Sequence, residues 1–182
     1  MKVSREQAER NREKVVDAAS RLFRARGVEG VAIGEVMREC GLTHGGFYNQ
    51  FESKEALAAE ACATSLARGA AKWRRLSAED GPDAITADYL SARNRDAPET
   101  GCALIALGPD AARKGGPLAA AFREGFEDLT AALQNAGIAD RDAALARMAQ
   151  LVGTMVLARA VDDPALSEEL LAANRRALGV EA

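Results

Sequence analysis

Residues 31–51 read VAIGEVMRECGLTHGGFYNQF, and the spacing of their apolar side chains decides the fold. Ile33, Val36, Met37 and Cys40 recur at i, i+3, i+4 and i+7, so they share one face of a two-turn helix. Gly41 follows, suited to the left-handed residue that ends a helix. Thr43 reads as the N-cap of a second short helix, in which Phe47 and Phe51 lie four residues apart and face the core. Ser53 then caps a long helix that begins at Lys54. Two short helices joined by a tight glycine turn make a helix-turn-helix. In such a motif the second helix lies in the major groove of DNA and its early residues reach base edges.

On the N-terminal side, Ser4 and Gln7 have the spacing of a capping box, and a helix is expected from Ser4 to Arg26. Val15, Ala18, Ala19, Leu22 and Phe23 form its apolar face, and Gly27 stops it. On the C-terminal side, the helix from Lys54 is expected to run to about Leu76. Loops are expected at 77–82 and 96–101, with a helix between them from Pro82 to Arg95. The stretch 101–114 reads as helical but with a break or kink at Gly108-Pro109. Pro117 opens a helix carrying Leu118, Phe122, Phe126, Leu129 and Leu133, ended by Gly137. Asp140 caps a helix with Leu145, Met148, Leu151, Val152 and Met155 on one side, and Asp163-Pro164 opens a last helix ending near Gly179. No strand, repeat or low-complexity segment is legible. The fold class is all-α: a three-helix head over residues 1–55 and a larger helical body over 56–182, about nine helices in all.

Composition agrees. Of 182 residues, 48% are hydrophobic, which is enough for a core, while only 4% are aromatic. The net charge is −3, but it is unevenly placed. Residues 1–26 carry eight basic and four acidic side chains, whereas 56–182 carry 14 and 18. A local basic footprint binds phosphate even on an acidic protein. The three cysteines, Cys40, Cys62 and Cys102, are too few and scattered for a disulfide framework and fit a reducing compartment. With His44 as the single histidine, neither a zinc site nor a catalytic triad is expected, and no cofactor. The charged N-terminus does not read as a signal peptide, and no apolar run approaches the roughly 20 residues of a membrane span, so a cytoplasmic location is expected.

The residues placed to meet DNA are Thr43, His44, Gly45, Gly46, Tyr48 and Asn49. Two glycines at a helix start each cost about 1 kcal/mol relative to alanine. Close approach of the backbone to a base or phosphate offsets that cost. Lys54 stands where a helix N-terminus already attracts phosphate. Arg5, Arg10 and Arg12 on the first helix are further phosphate candidates.

The stretch GVEGVAIGEVMRECGLTHGGFYNQFESKEAL (27–57) resembles the DNA-binding motif of TetR-family regulators, most specifically in Gly41, the THGGFYNQF block and the SKEAL after it. The resemblance covers residues 10–57, with Ala18, Ala19, Phe23 and Gly27 matching in the first helix. Gly101-Cys102-Ala103-Leu104 and VLARAVDDPALSEELL (156–171) resemble one C-terminal subclass. The resemblance implies a homodimer of nine- or ten-helix subunits, usually a repressor of a palindromic operator. The last two helices, about 140–160 and 164–178, would form the dimer bundle, and the middle helices would enclose a small-molecule effector. It implies DNA-reading places for His44, Gly45, Gly46 and Tyr48, and a phosphate place for Lys54. The chain departs from the family at Val31 and Ala32, where a hydroxyl residue is common; a phosphate contact there falls to the backbone amides of Ile33 and Gly34. Pocket lining is expected from Trp73, Tyr89, Cys102, Leu104, Leu107, Phe122, Phe126 and Met155, around an apolar or aromatic effector. Two alternatives stand beside the repressor: a helical protein-interaction module, and a regulator sensing oxidants or electrophiles through the Cys102 thiol. An enzyme is not expected.

Overall fold

The computed structural model describes residues 5–180. Helix α1 spans Arg5–Arg26, α2 Ile33–Glu39, a 3-10 segment His44–Asn49, and α3 Lys54–Tyr89. After these come α4 (Ala92–Asp96), a 3-10 turn (Pro98–Thr100), α5 (Ala103–Lys114), α6 (Gly116–Asn135), α7 (Arg141–Ala160) and α8 (Pro164–Ala177). There is no strand among the described residues. The expected capping box at Ser4 lies outside them.

The head closes as its apolar spacing requires. Val15, Ala18, Ala19 and Phe23 of α1 are buried against Val36, Met37, Phe47, Leu57 and Ala61. Gly27 at φ 72° ends α1, its amide bonding the Phe23 carbonyl at 2.8 Å. In the body, α6 lies along α3. Gly125 sits against Leu66, and Gly69 opposite Leu129. Helix α7 carries Met148, Leu151 and Met155 into the core, and α8 packs beside it through Leu171.

Several boundaries differ from the sequence reading. The expected loop at 77–82 narrows to Asp80 (φ −126°, ψ 15°) and Gly81 (φ 68°, ψ −162°). Ser77 and Ala78 continue the helix past Leu76, and the chain bends only where Pro82 bars its predecessor from helical geometry. The second half of α3 ends at Tyr89. Ser91 then caps the separate short helix α4 through the Asn94 amide at 3.2 Å, so Pro82–Arg95 is not one helix. The stretch 96–101, read as a loop, contains the 3-10 turn Pro98–Thr100. Helix α5 runs through Gly108-Pro109 without a break. Pro109 is exposed, and one missing hydrogen bond is outweighed by the buried stripe Ala103, Leu104, Leu107 and Ala111. The segment after Thr43 is a 3-10 rather than an α-helix, and Thr43 caps it with no side-chain bond. Two adjacent glycines and a six-residue length do not stabilise a regular α-turn.

Candidate functional site

Two short elements and one turn set the first site. Gly41 at φ 69° turns the chain, with the Gly41 amide on the Arg38 carbonyl and the Leu42 amide on that of Met37. The 3-10 segment then divides its side chains cleanly. Phe47 is fully buried and stacks on Phe51 with ring centroids 5.5 Å apart, while Tyr48 is 63% exposed. His44, Gly45 and Asn49 are exposed on the same outer surface, and His44 meets Tyr48 edge-on at 6.2 Å. Lys54 is half-buried at the first turn of α3, where the Ser53 hydroxyl accepts from the Ala56 amide at 3.1 Å. At the start of α2, Ala32 provides no side-chain cap. Gly34 lies against this surface too: a Cβ there would stand 3.3 Å from His44 Nδ1.

The two glycines of the motif are not equivalent. A Cβ on Gly45 would meet nothing within 4 Å. One on Gly46 would meet Thr43 Oγ1 at 3.6 Å and Met37 Cε at 3.7 Å, so Gly46 faces the inside of the motif and its small size serves packing.

The arginines of α1 are engaged within the protein. Arg12 lies over the Phe51 ring at 4.2 Å, bonds Glu60 and donates to the Gln50 carbonyl, so it clamps the end of the 3-10 segment to α3. Arg5 pairs with Glu9, and Arg10 with Glu6 and Gln7. The clamp by Arg12 was not legible in the sequence, because Glu60 is 48 residues away along the chain.

A second site is a cavity of about 270 Å³ where α1, α3 and the start of α5 meet. Of the residues expected to line a pocket, Trp73, Tyr89 and Cys102 line this cavity. Leu104, Leu107 and Met155 do not; they are packed in the core, and Phe122 and Phe126 of α6 pack half-buried against that core and do not line the cavity either. The reason is geometric: the apolar stripe of α6 packs against α5 and α3. Nor is the wall free of charge. Arg24, Arg68, Lys72 and Asp88 line it with Ser65, Leu66 and Leu129, and Arg24 comes from the helix-turn-helix head. No acid-rich or thiol-histidine cluster able to hold a metal occurs among the described residues.

The thiols near this cavity are held protonated. Burial pushes Cys102 up, and the Tyr89 hydroxyl, the Leu104 and Ile105 amides and Arg159 offset this only in part. Tyr89 is itself pushed well up by burial. Burial raises Cys62 from 9.0 to about 12. An acid whose folded pKa is raised stabilises the fold fully below its unfolded pKa and ceases to do so as pH climbs through the folded value. Stability is therefore expected to fall between about pH 9 and about pH 12, with Cys62 contributing a slope of up to about 1.4 kcal/mol per pH unit. Urea titrations across that range should show a shallower fall in Cys62→Ala than in the parent; equal slopes contradict the burial of this thiol.

The comparisons agree with this geometry. Residues 15–61 match the family model for bacterial regulatory proteins of the tetR family. An uncharacterized HTH-type transcriptional regulator, YerO of Bacillus subtilis (strain 168), is 41% identical over 51 residues, a match that spans 28% of this chain but only 18% of that relative. Among solved structures, the reduced form of E. coli NemR is similar with a TM-score of 0.78 and 20% identity, over 95% of this chain and 97% of that one. A TetR-family transcriptional regulator from Cytophaga hutchinsonii is similar with a TM-score of 0.75 and 21% identity, over 100% and 99%. The glycine-turned helix pair, with Phe47 buried behind an exposed Tyr48, lies wholly within the stretch that matches the family model, so the N-terminal part of this chain is similar to the DNA-binding segment of bacterial regulatory proteins of the tetR family.

Proposed function

We propose that this protein is a homodimeric transcriptional repressor that binds a palindromic operator and leaves it when a small molecule occupies the body. The observation that carries the reading is the two-sided 3-10 segment: Phe47 fixes it to the core, and Tyr48, His44, Gly45 and Asn49 are left on the open face. Residues 1–55 serve as the DNA-binding head and 56–182 as the effector and dimerisation body. Thr43, His44, Tyr48 and Asn49 contact bases or phosphates, with Gly45 allowing close approach and Gly46 packing behind them. Lys54 and the first-turn amides of Ile33 and Gly34 hold phosphates on either side. One such head reads few base pairs, so two heads about 34 Å apart are needed to read successive major grooves.

Effector and operator must be coupled through states that bind the effector differently. Helix α3 runs from the head into the body, and a second link lies at the other end of α1. There Asp110 of α5, 3% exposed, accepts from the Val28 amide at 2.8 Å and pairs with Arg113. A shift of α5 is thereby passed to the turn that leads into α2. A coupling of about 1–3 kcal/mol changes operator affinity by roughly 5–150-fold.

The test is a footprint of the pure protein on the DNA beside its own gene, followed by titrations at several salt concentrations. Tyr48→Phe is expected to weaken operator binding by about fivefold to tenfold, the value of one hydrogen bond, while leaving the circular dichroism unchanged. Unaltered affinity would remove Tyr48 from the interface. Protection of no DNA, together with capture of a protein partner, would favour the interaction-module reading. The thiol-sensing reading needs a ready thiolate, and the desolvation that raises the half-buried Cys102 thiol does not favour it. No helix among the described residues is long and apolar enough to cross a membrane.

A further inference from the structure

The cations around the cavity are not matched one for one by acids. Arg68 pairs with Asp17 at 2.7 Å, and Lys72 shares Asp88 with Arg93. Arg24 has no carboxylate partner among the described residues: its one hydrogen bond runs from Nη1 to the Gly101 carbonyl at 3.3 Å, and its Nε is buried with no partner. Just behind Gly101, Arg159 is likewise spent on carbonyl groups, those of Asn94 and Arg95 at 2.6 and 3.1 Å. Glu99 acts on Arg24 only at longer range, and Arg68 and Arg21 repel it. A half-buried guanidinium among other cations, bonded weakly to one carbonyl, gains most from an anion.

The rest of the wall says what the anion is attached to. Trp73 and Tyr89 meet edge-to-face at 5.8 Å, and Leu66 and Leu129 complete an apolar side. The buried Tyr89 hydroxyl has no oxygen or nitrogen partner; the group it acts on is the Cys102 thiol, a weak partner that an anion's oxygen can replace. A volume of about 270 Å³ lies at the small end of ligand pockets, room for one or two rings.

We infer that the effector cavity takes a small aromatic or arylalkyl carboxylate, whose acid group bonds the Arg24 guanidinium and whose ring lies against Trp73 and Tyr89. This names the chemical class of the effector and rests on the regulator reading above. It also gives the effector a direct hold on the DNA-binding head, because Arg24 belongs to α1.

Trp73 is the single tryptophan of the chain and reports on this cavity alone. The experiment titrates the full-length protein, without DNA, with matched pairs that differ in charge and hardly in shape: benzoate against benzamide, and 2-naphthoate against 2-naphthamide, with benzylammonium as the opposite sign. At least one acid is expected to change Trp73 fluorescence saturably below the millimolar range. It should bind about tenfold or more tightly than its amide, with benzylammonium weakest. Arg24→Gln is expected to bring acid and amide to equal affinity. Should that variant fold poorly, the acid–amide ratio of the unaltered protein decides. Equal binding of acid and amide, tighter binding of benzylammonium, no response to any acid through the millimolar range, or a preference that survives in a folded Arg24→Gln each overturn the assignment. The operator footprint fails or succeeds separately. Acid binding without DNA protection refutes the regulator reading, whereas DNA protection without acid preference refutes this one.

Discussion

Gly125→Val is expected to cost about 3 kcal/mol or more of folding stability, a large share of the roughly 5–15 kcal/mol that holds a protein of this kind together. The reason is the closeness of α3 and α6. A Cβ built on Gly125 stands 2.4 Å from Leu66 Cδ1 and 2.5 Å from Leu66 Cβ. The δ-methyl can rotate away, but the Cβ is fixed to the backbone of α3, so the two helices must separate along their whole contact. Gly125→Ala already meets this clash, and the roughly 1 kcal/mol that alanine gains in a helix does not offset it. At about 2–4 °C per kcal/mol for a chain of this size, the valine variant should melt roughly 6–12 °C lower, measured at matched protein concentration because the proposed dimer would be stabilised by mass action. Gly45→Ala is the control. Its Cβ meets nothing within 4 Å, so the melting temperature should hold or rise while operator affinity reports separately on the open face. A Gly125→Val protein melting with the parent would mean that α3 and α6 do not pack at this distance. Because Leu66 and Leu129 line the cavity, the valine variant should also lose ligand-dependent changes in Trp73 fluorescence.

This contact shows where sequence reasoning stops. The head was legible because its information is local. Apolar residues at i, i+3, i+4 and i+7, a glycine at a turn and a serine cap are read within a few residues of one another, and Val36, Met37, Phe47 and Phe51 are buried as that pattern requires. The outward placement of His44 and Tyr48 followed from the inward placement of Phe47. The body was legible as helices but not as a site. Whether an apolar stripe faces core or cavity depends on which helix lies opposite. Phe122 and Phe126 share periodicity with Leu118, Leu129 and Leu133, yet only Leu129 lines the cavity, because α6 meets α3 there. Arg24 gave no signal at all. It sits in a helix whose arginines read only as phosphate candidates, and its one hydrogen bond is to Gly101, 77 residues away. Long-range partners explain Pro109 as well: local propensity breaks α5 there, and burial of Leu104 and Leu107 keeps it whole.

The paired variant Val156→Glu, Leu157→Glu is expected to turn the protein into a folded monomer. Helix α7 is apolar on two sides, which a helix with only one buried face is not. Ala144, Met148, Leu151 and Met155 face the core, whereas Ala146, Ala149, Val156 (42% exposed), Leu157 (54% exposed) and Ala160 lie open, continued on α8 by Leu166 (43% exposed). Gly153 stands within this open stripe, and a Cβ there would touch nothing of its own chain, so a second backbone can come close. On the homodimer proposed above, a copy of the same surface is the occupant, since a twofold contact needs one self-complementary patch. Two glutamates there place unpaired charge in the centre of the joint without disturbing the core on the other side of α7. Light scattering should then give the 19.2 kDa of a single chain where the parent gives twice that, with an unchanged melting curve for the helical signal at high dilution of both. Operator affinity should fall by about 10²-fold or more, because the second head no longer binds at the high effective concentration set by the first. Binding of acids that change Trp73 fluorescence should persist, since the cavity is built from residues of one chain and none of them lies on α7 or α8. A variant that stays dimeric, or a monomer that grips the palindrome as tightly as the parent, would contradict the placing of the dimer contact on α7 and α8.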